Sequence, residues 1–184
     1  MSKIALIGSG NAFFKDEGAG LYAAKYLKEN YDFDLAVEIV DGGTLGFRLM
    51  PLLQEFERVI IVNTSSDDGV SPGTVTIRDR DTFLAGTRVK KTANEVEIAE
   101  MLQICSLSEQ LAETVVVSIA PEDILSVEVG LTESLKAAWP VYVGTVLQLL
   151  ASFGADCKRR ESGMDLETIL QTFAEPSIEH GRGF

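Results

Sequence analysis

A chain of 184 residues has room for one domain with a sizeable core, and 46% hydrophobic against 24% charged residues is the balance of an ordinary folding chain, not of a disordered tail or a low-complexity polymer. With 16 Lys and Arg against 28 Asp and Glu, the formal net charge of −12 repels phosphate backbones and anionic headgroups, so neither nucleic acid nor membrane insertion is expected. One histidine (His180) and two cysteines (Cys105 and Cys157) exclude zinc fingers, CxxC redox centres and multi-histidine sites, leaving any metal mainly on oxygen.

In chain order, residues 3–8, 35–41, 58–63 and 114–120 form apolar runs rich in Val and Ile, each followed by a helical pattern over 17–30, 45–56, 94–106 or 132–153. This alternation predicts an α/β three-layer sandwich: a twisted, mostly parallel five-stranded sheet between helices. The continuous apolarity of residues 59–62 and 115–120 predicts central strands buried on both faces. Residues 73–79 (GTVTIRD) alternate instead, which predicts an edge or antiparallel fifth strand. Pro140 is expected to kink or split the helix over 132–153. Residues 137–155 lack charge but contain Pro140, Gly144, Thr145, Gln148 and Ser152, the mixture of a buried helix and not of a membrane span. Residues 154–163 (GADCKRRESG) have linker composition, so 1–153 is expected as the α/β domain and 154–184 as an appendage with one short helix starting at Asp165. Unpaired cysteines and the absence of a signal-peptide core fit a cytoplasmic setting.

Open α/β sheets collect their sites at the carboxyl ends of the strands. The first strand ends in Gly8-Ser9-Gly10-Asn11, but Phe13 stands where a dinucleotide fingerprint needs its third glycine, so a nucleotide or sugar site is disfavoured and a tight turn is expected. Acidic Asp16 and Glu17 follow at a helix start, where they either complement the helix dipole or face the crevice. The second strand ends in Asp41-Gly42-Gly43-Thr44-Leu45-Gly46, a loop suited to clamping another backbone, and the third in Asn63.

The segments LIGSGNAFFKDEGAG, DGGTLG, VIIVN followed by PGT, NEVEIAEML and IAPEDILSVEVGLTESL occur over residues 4–150 in the order found in hydrogenase maturation proteases, and the chain resembles that family. The resemblance implies a cytoplasmic endopeptidase that trims the C-terminal extension of a nickel-loaded hydrogenase large-subunit precursor. The partner is then that precursor and the nickel is carried by the substrate, with no tightly bound cofactor of the chain's own. The family's nickel-sensing Glu, Asp and His fall on Glu17, Asn63 and Asn94, the implied catalytic trio, while Asp16, Asp41, Gly42, Gly43 and Thr44 fall on loops implied to bind substrate. Two of the three ligands are replaced: amides at Asn63 and Asn94 stand for a carboxylate and an imidazole, leaving Glu17 as the direct metal contact and the two amides as weak or vestigial ligands. Asp16, Asp41, Asp67, Asp68 and Glu95 lie near the same loops as compensating carboxylates, with Asp41 of the DGGT loop the best placed. The alternative is a non-proteolytic paralogue that binds a hydrogenase-like subunit as an assembly or checkpoint factor.

Overall fold

In the computed structural model, which describes residues 3–44, 46–65, 67–86, 92–107 and 111–175, the apolar runs become β1 (Ile4–Ser9), β3 (Val37–Gly43), β4 (Arg58–Thr64) and β6 (Glu113–Ile119), joined by β5 (Val75–Asp79) into one sheet of order β3-β1-β4-β6-β5. β1 pairs in parallel with β3 and β4, and β4 with β6, while β5 runs antiparallel along the edge of β6. Both halves of the expectation for residues 73–79 therefore hold, and β4 and β6 are interior strands as their two-sided apolarity predicts. The chain leaves β1 toward β3 on one side and later enters β4 on the other, so a topological switch point lies at the carboxyl end of β1.

Successive side chains along a strand point to opposite faces, which splits the core in two. Ile4, Leu6, Ile60, Val62, Val117 and Ile119 face α1 (Ala19–Asn30), α5 (Glu133–Ser152) and α6 (Leu166–Ala174). Ala5, Ile7, Val59, Ile61 and Val116 face α2 (Met50–Glu55), α3 (Arg80–Ala85) and α4 (Ala93–Cys105) through Leu53, Phe83, Ile98, Met101 and Leu102. The helix over Pro140 is a single run of 20 residues, so the proline does not split it. No helix among the described residues is long and apolar enough to cross a membrane.

Residues 154–163 are more than a linker. Cys157–Arg159 forms β7, antiparallel to β2 (Tyr31–Phe33), and the Asn30 carbonyl accepts from the Arg160 N–H at 2.8 Å. Asp165 caps α6 as expected, accepting from the Thr168 N–H at 2.8 Å. α6 then buries Ile169 and Leu170 in the α1/α5 core and sets Phe173 edge-on to Tyr22 with ring centroids 5.0 Å apart, so it completes that core. His180 lies outside the described residues, as does Leu45 at the predicted start of the second helix.

Candidate functional site

The turn after β1 is tight because glycine allows it. A Cβ at Gly10 would lie 2.1 Å from the Glu17 carbonyl, and one at Gly20 would meet the carbonyls of Val62 and Ser9 at 2.2 and 2.3 Å. Absent those carbons, the Asn11 N–H reaches the Glu17 carbonyl at 3.2 Å, and a 3₁₀ turn over Lys15–Gly18 leads straight into α1 against the sheet.

That turn aims its two acids in different directions. Asp16 is fully buried, and its carboxylate organises the loop after β6: Oδ2 accepts from the N–H groups of Glu122 and Asp123 and from the Thr132 hydroxyl, each at 2.9 Å, while Oδ1 accepts from the Thr132 N–H at 2.7 Å. Its oxygens are thus committed to holding the protein together, not turned to a substrate. Glu17 instead lines a cleft of about 250 Å³ together with Asn11, Phe14, Thr44, Thr92, Asn94, Glu97, Ile124 and Leu125.

Burial pushes the Glu17 carboxyl above its ordinary range; a hydrogen bond from the Thr92 side chain opposes this and the charge of Glu95 adds to it. Thr92 is also the N-cap of α4, its hydroxyl accepting from the Glu95 N–H at 3.2 Å. Glu95 is 2% exposed. One helix start therefore brings a hydroxyl and a second buried carboxylate to Glu17. Such a site favours a proton on Glu17 or a cation against it.

Asn94 opens the same helix and joins it to the sheet. Its Oδ1 accepts from the Ser9 hydroxyl at 3.0 Å and its Nδ2 donates to the Gly43 carbonyl at 3.2 Å. That carbonyl also accepts from the Gly10 N–H at 3.0 Å, so the DGGT loop contributes an acceptor that ties β1, β3 and α4 together. The Gly43 N–H is taken by Asp41 Oδ1 at 3.0 Å, and Gly42 is buried against the backbone of β1. Asn63 is fully buried: Oδ1 accepts from the Ser118 hydroxyl at 2.7 Å, its carbonyl from the Tyr142 hydroxyl at 2.8 Å, and Nδ2 has no partner.

Of the residues singled out in the sequence, Glu17, Asn94 and Thr44 meet in the cleft. Asn63 lies at the end of β4 and is buried, while Asp41 is exposed at the sheet edge, within reach of the charges of Lys25 and Lys28 on α1. Asp67 pairs with Arg78. The carboxylate beside Glu17 is thus Glu95, not Asp41. Among the described residues no group of three or more His, Cys, Asp or Glu is arranged to hold a metal. Thr92, Ile124 and Leu125 escaped sequence reasoning; a Thr followed three residues on by Glu95 was the available signal for the first, while the loop pair carries none.

The family model for hydrogenase maturation protease (HycI) matches residues 21–149, more than half of the chain. The chain belongs to the hydrogenase maturation protease family. Among members of this family, it is 26% identical to the hydrogenase expression/formation protein HupD of Rhizobium leguminosarum bv. viciae, over 92% of this chain and 84% of that protein. It is 27% identical to the hydrogenase 2 maturation protease of Escherichia coli K12, over 87% of this chain and 98% of the relative. The fold superimposes on the hydrogenase maturating endopeptidase HybD from E. coli with a TM-score of 0.80 at 25% identity, covering 89% of this chain and all of that one. Against the [NiFe] hydrogenase maturation protease HybD from Thermococcus kodakarensis the TM-score is 0.66 at 25% identity, covering 81% of this chain and 99% of that one. A maturation protease of this family thus carries Glu17 and Asn94 in one cleft at the sheet's carboxyl end.

Proposed function

We propose that this chain is a hydrogenase maturation endopeptidase that trims the C-terminal extension of a nickel-loaded large-subunit precursor in the cytoplasm. The observation that carries the reading is Glu17, a carboxylate that lines the cleft of a chain of this family together with Thr44, Thr92 and Asn94. The precursor's nickel is substrate, and Glu17 is its direct contact. Thr92 orients the Glu17 carboxylate, Thr44 contacts the incoming backbone, Asn94 holds α4 to the DGGT loop, and the Asp16-organised loop presents Ile124 and Leu125 to the cleft, so that the scissile bond is held in one place. The amide oxygens of Asn63 and Asn94 already accept from Ser118 and Ser9, so neither adds charge or a nitrogen donor toward nickel.

That same engagement favours a second reading, in which the chain binds the precursor as an assembly or checkpoint factor and does not cut it. Incubating the protein with nickel-loaded precursor and weighing the large subunit by intact-mass spectrometry separates the two. Loss of a C-terminal peptide, abolished by Glu17→Gln, is the result expected of the endopeptidase; a stable complex of unchanged mass identifies the binding factor.

A further inference from the structure

Phe13, next to the cleft-lining Phe14, Leu125, itself in the cleft lining, and Val127 are 70%, 83% and 77% exposed. They sit on two loops that are tied together. The Glu128 N–H donates to the Phe13 carbonyl at 3.0 Å and the Lys15 N–H to the Glu128 carbonyl at 2.8 Å, with Phe14 and Glu128 forming a parallel bridge. Behind them Asp123 accepts from the N–H groups of Leu125 and Ser126 and from the Ser126 hydroxyl, bonds that pull its carboxyl down to about 2, and Asp16 holds Asp123 in turn. Loops fastened in this way do not fold over to hide their apolar side chains. The exposure is built in, and large apolar side chains grouped on a surface mark an interaction site.

We propose that this ridge seats an extended apolar stretch of the precursor polypeptide, adjoining the segment that the cleft receives. The proposal rests on the function given above, and three observations select the occupant. First, the ridge is continuous with the cleft: Leu125 belongs to both, and Ile124 and Phe14, next along the chain to Leu125 and Phe13, also line the cleft. Second, among the described residues the cleft lining carries Glu17 and Glu97 and no Lys or Arg, in a chain of net charge −12. A polypeptide that brings positive charge or a metal beside an apolar stretch complements both parts, whereas an acidic partner is repelled. Third, the ridge is small. A buried Phe contributes about 150–250 Å² and Leu and Val less, well short of the roughly 800 Å² per partner of a stable protein interface. A second copy of this chain is therefore poorly served, while one strand entering a narrow cleft fits.

The test uses the full chain and a nickel-loaded [NiFe] hydrogenase large-subunit precursor. Phe13→Ser, Leu125→Ser and Val127→Ser are made singly and together, and Leu107→Ser, 87% exposed beyond the far end of α4, serves as the control. The combined variant is expected to raise KM about tenfold, the loss typical of removing apolar anchors, with a smaller change in kcat, and the control to match the wild type. An unchanged KM overturns the proposal. Precursor binding, measured by biolayer interferometry, keeps the ridge separate from the chemistry. If the wild type binds without cutting and the combined variant binds about tenfold more weakly, the endopeptidase reading fails and the ridge stands. Equal binding by both, or no binding by the wild type, removes the ridge. A wild-type dimer that the combined variant dissolves in sedimentation velocity, with precursor binding untouched, also overturns it. Unchanged thermal midpoints certify that the variants are folded.

Discussion

Asp16→Asn is a near-isosteric change with a large expected cost. Four donors converge on the Asp16 carboxylate, all of them more than 100 residues away along backbone that forms no helix or strand. An asparagine does best by placing its oxygen where Oδ2 stands, which keeps the bonds from Glu122, Asp123 and the Thr132 hydroxyl. Its amide then meets the Thr132 N–H, donor against donor, at the 2.7 Å contact. One charge-assisted bond worth about 1.5–3 kcal/mol is lost and a buried N–H is left unmatched, while the three surviving bonds weaken without the charge. The sum is about 2–4 kcal/mol, or a fall in Tm of roughly 5–15 °C for a chain of this size. Asp16→Ala costs more, since every donor is orphaned. Urea unfolding followed by circular dichroism gives the number, and an Asp16→Asn change under about 0.5 kcal/mol, the scale of an ordinary surface substitution, refutes the view that this acid is structural.

Gly20→Ala forces a Cβ onto two backbone carbonyls at 2.2 and 2.3 Å, so helix and sheet must part; a loss of about 2–3 kcal/mol or more is expected in the same unfolding assay. Stability should fall as pH rises above 10, because burial holds the Tyr22 hydroxyl protonated up to about 12 while the unfolded chain releases that proton from its ordinary value of 10.0. Tyr22→Phe should flatten this alkaline limb in urea titrations at stepped pH, and an equal slope in both proteins sinks the assignment. Joint replacement of Asn63→Asp and Asn94→His should strengthen nickel binding by at least about tenfold, or 1.4 kcal/mol, in titration calorimetry, since a carboxylate and an imidazole replace two engaged amides. Tight binding by the unaltered chain, unmoved by the double change, would show that other residues supply the ligands.

The strands were legible because Val59-Ile60-Ile61-Val62 and its neighbours are apolar on both faces, a pattern that only an interior strand satisfies. The pair β2 and β7 was not, because YDF and CKR show no run of alternation and are held by register to each other and by the Asn30–Arg160 bond. At the site, Glu17 followed the first strand but was singled out, like Asn94, through the family resemblance. Asp16 was ambiguous, since an acid at a helix start looks the same whether it complements a dipole or accepts from a loop 106 to 116 positions distant. Glu95 read as one more acid near a loop, and its closeness to Glu17 follows from the way Asn94 fastens α4 to the Gly43 carbonyl, a contact across 51 positions.

The division of the core by the sheet leaves a packed layer away from the cleft, even though the Glu17 turn itself leads into α1. Cleft-lining Thr92, Asn94 and Glu97 belong to α4 and its cap, on one face, whereas Trp139, Tyr142, Tyr22 and Phe173 stack on the other. An engineer seeking a hardier protein should therefore work behind the sheet, in the half-buried layer of Leu147, Leu149, Phe153 and Leu166, where added packing strengthens the whole without reaching the cleft. Tyr142 is the one to leave alone there, since its hydroxyl reaches through to the Asn63 carbonyl.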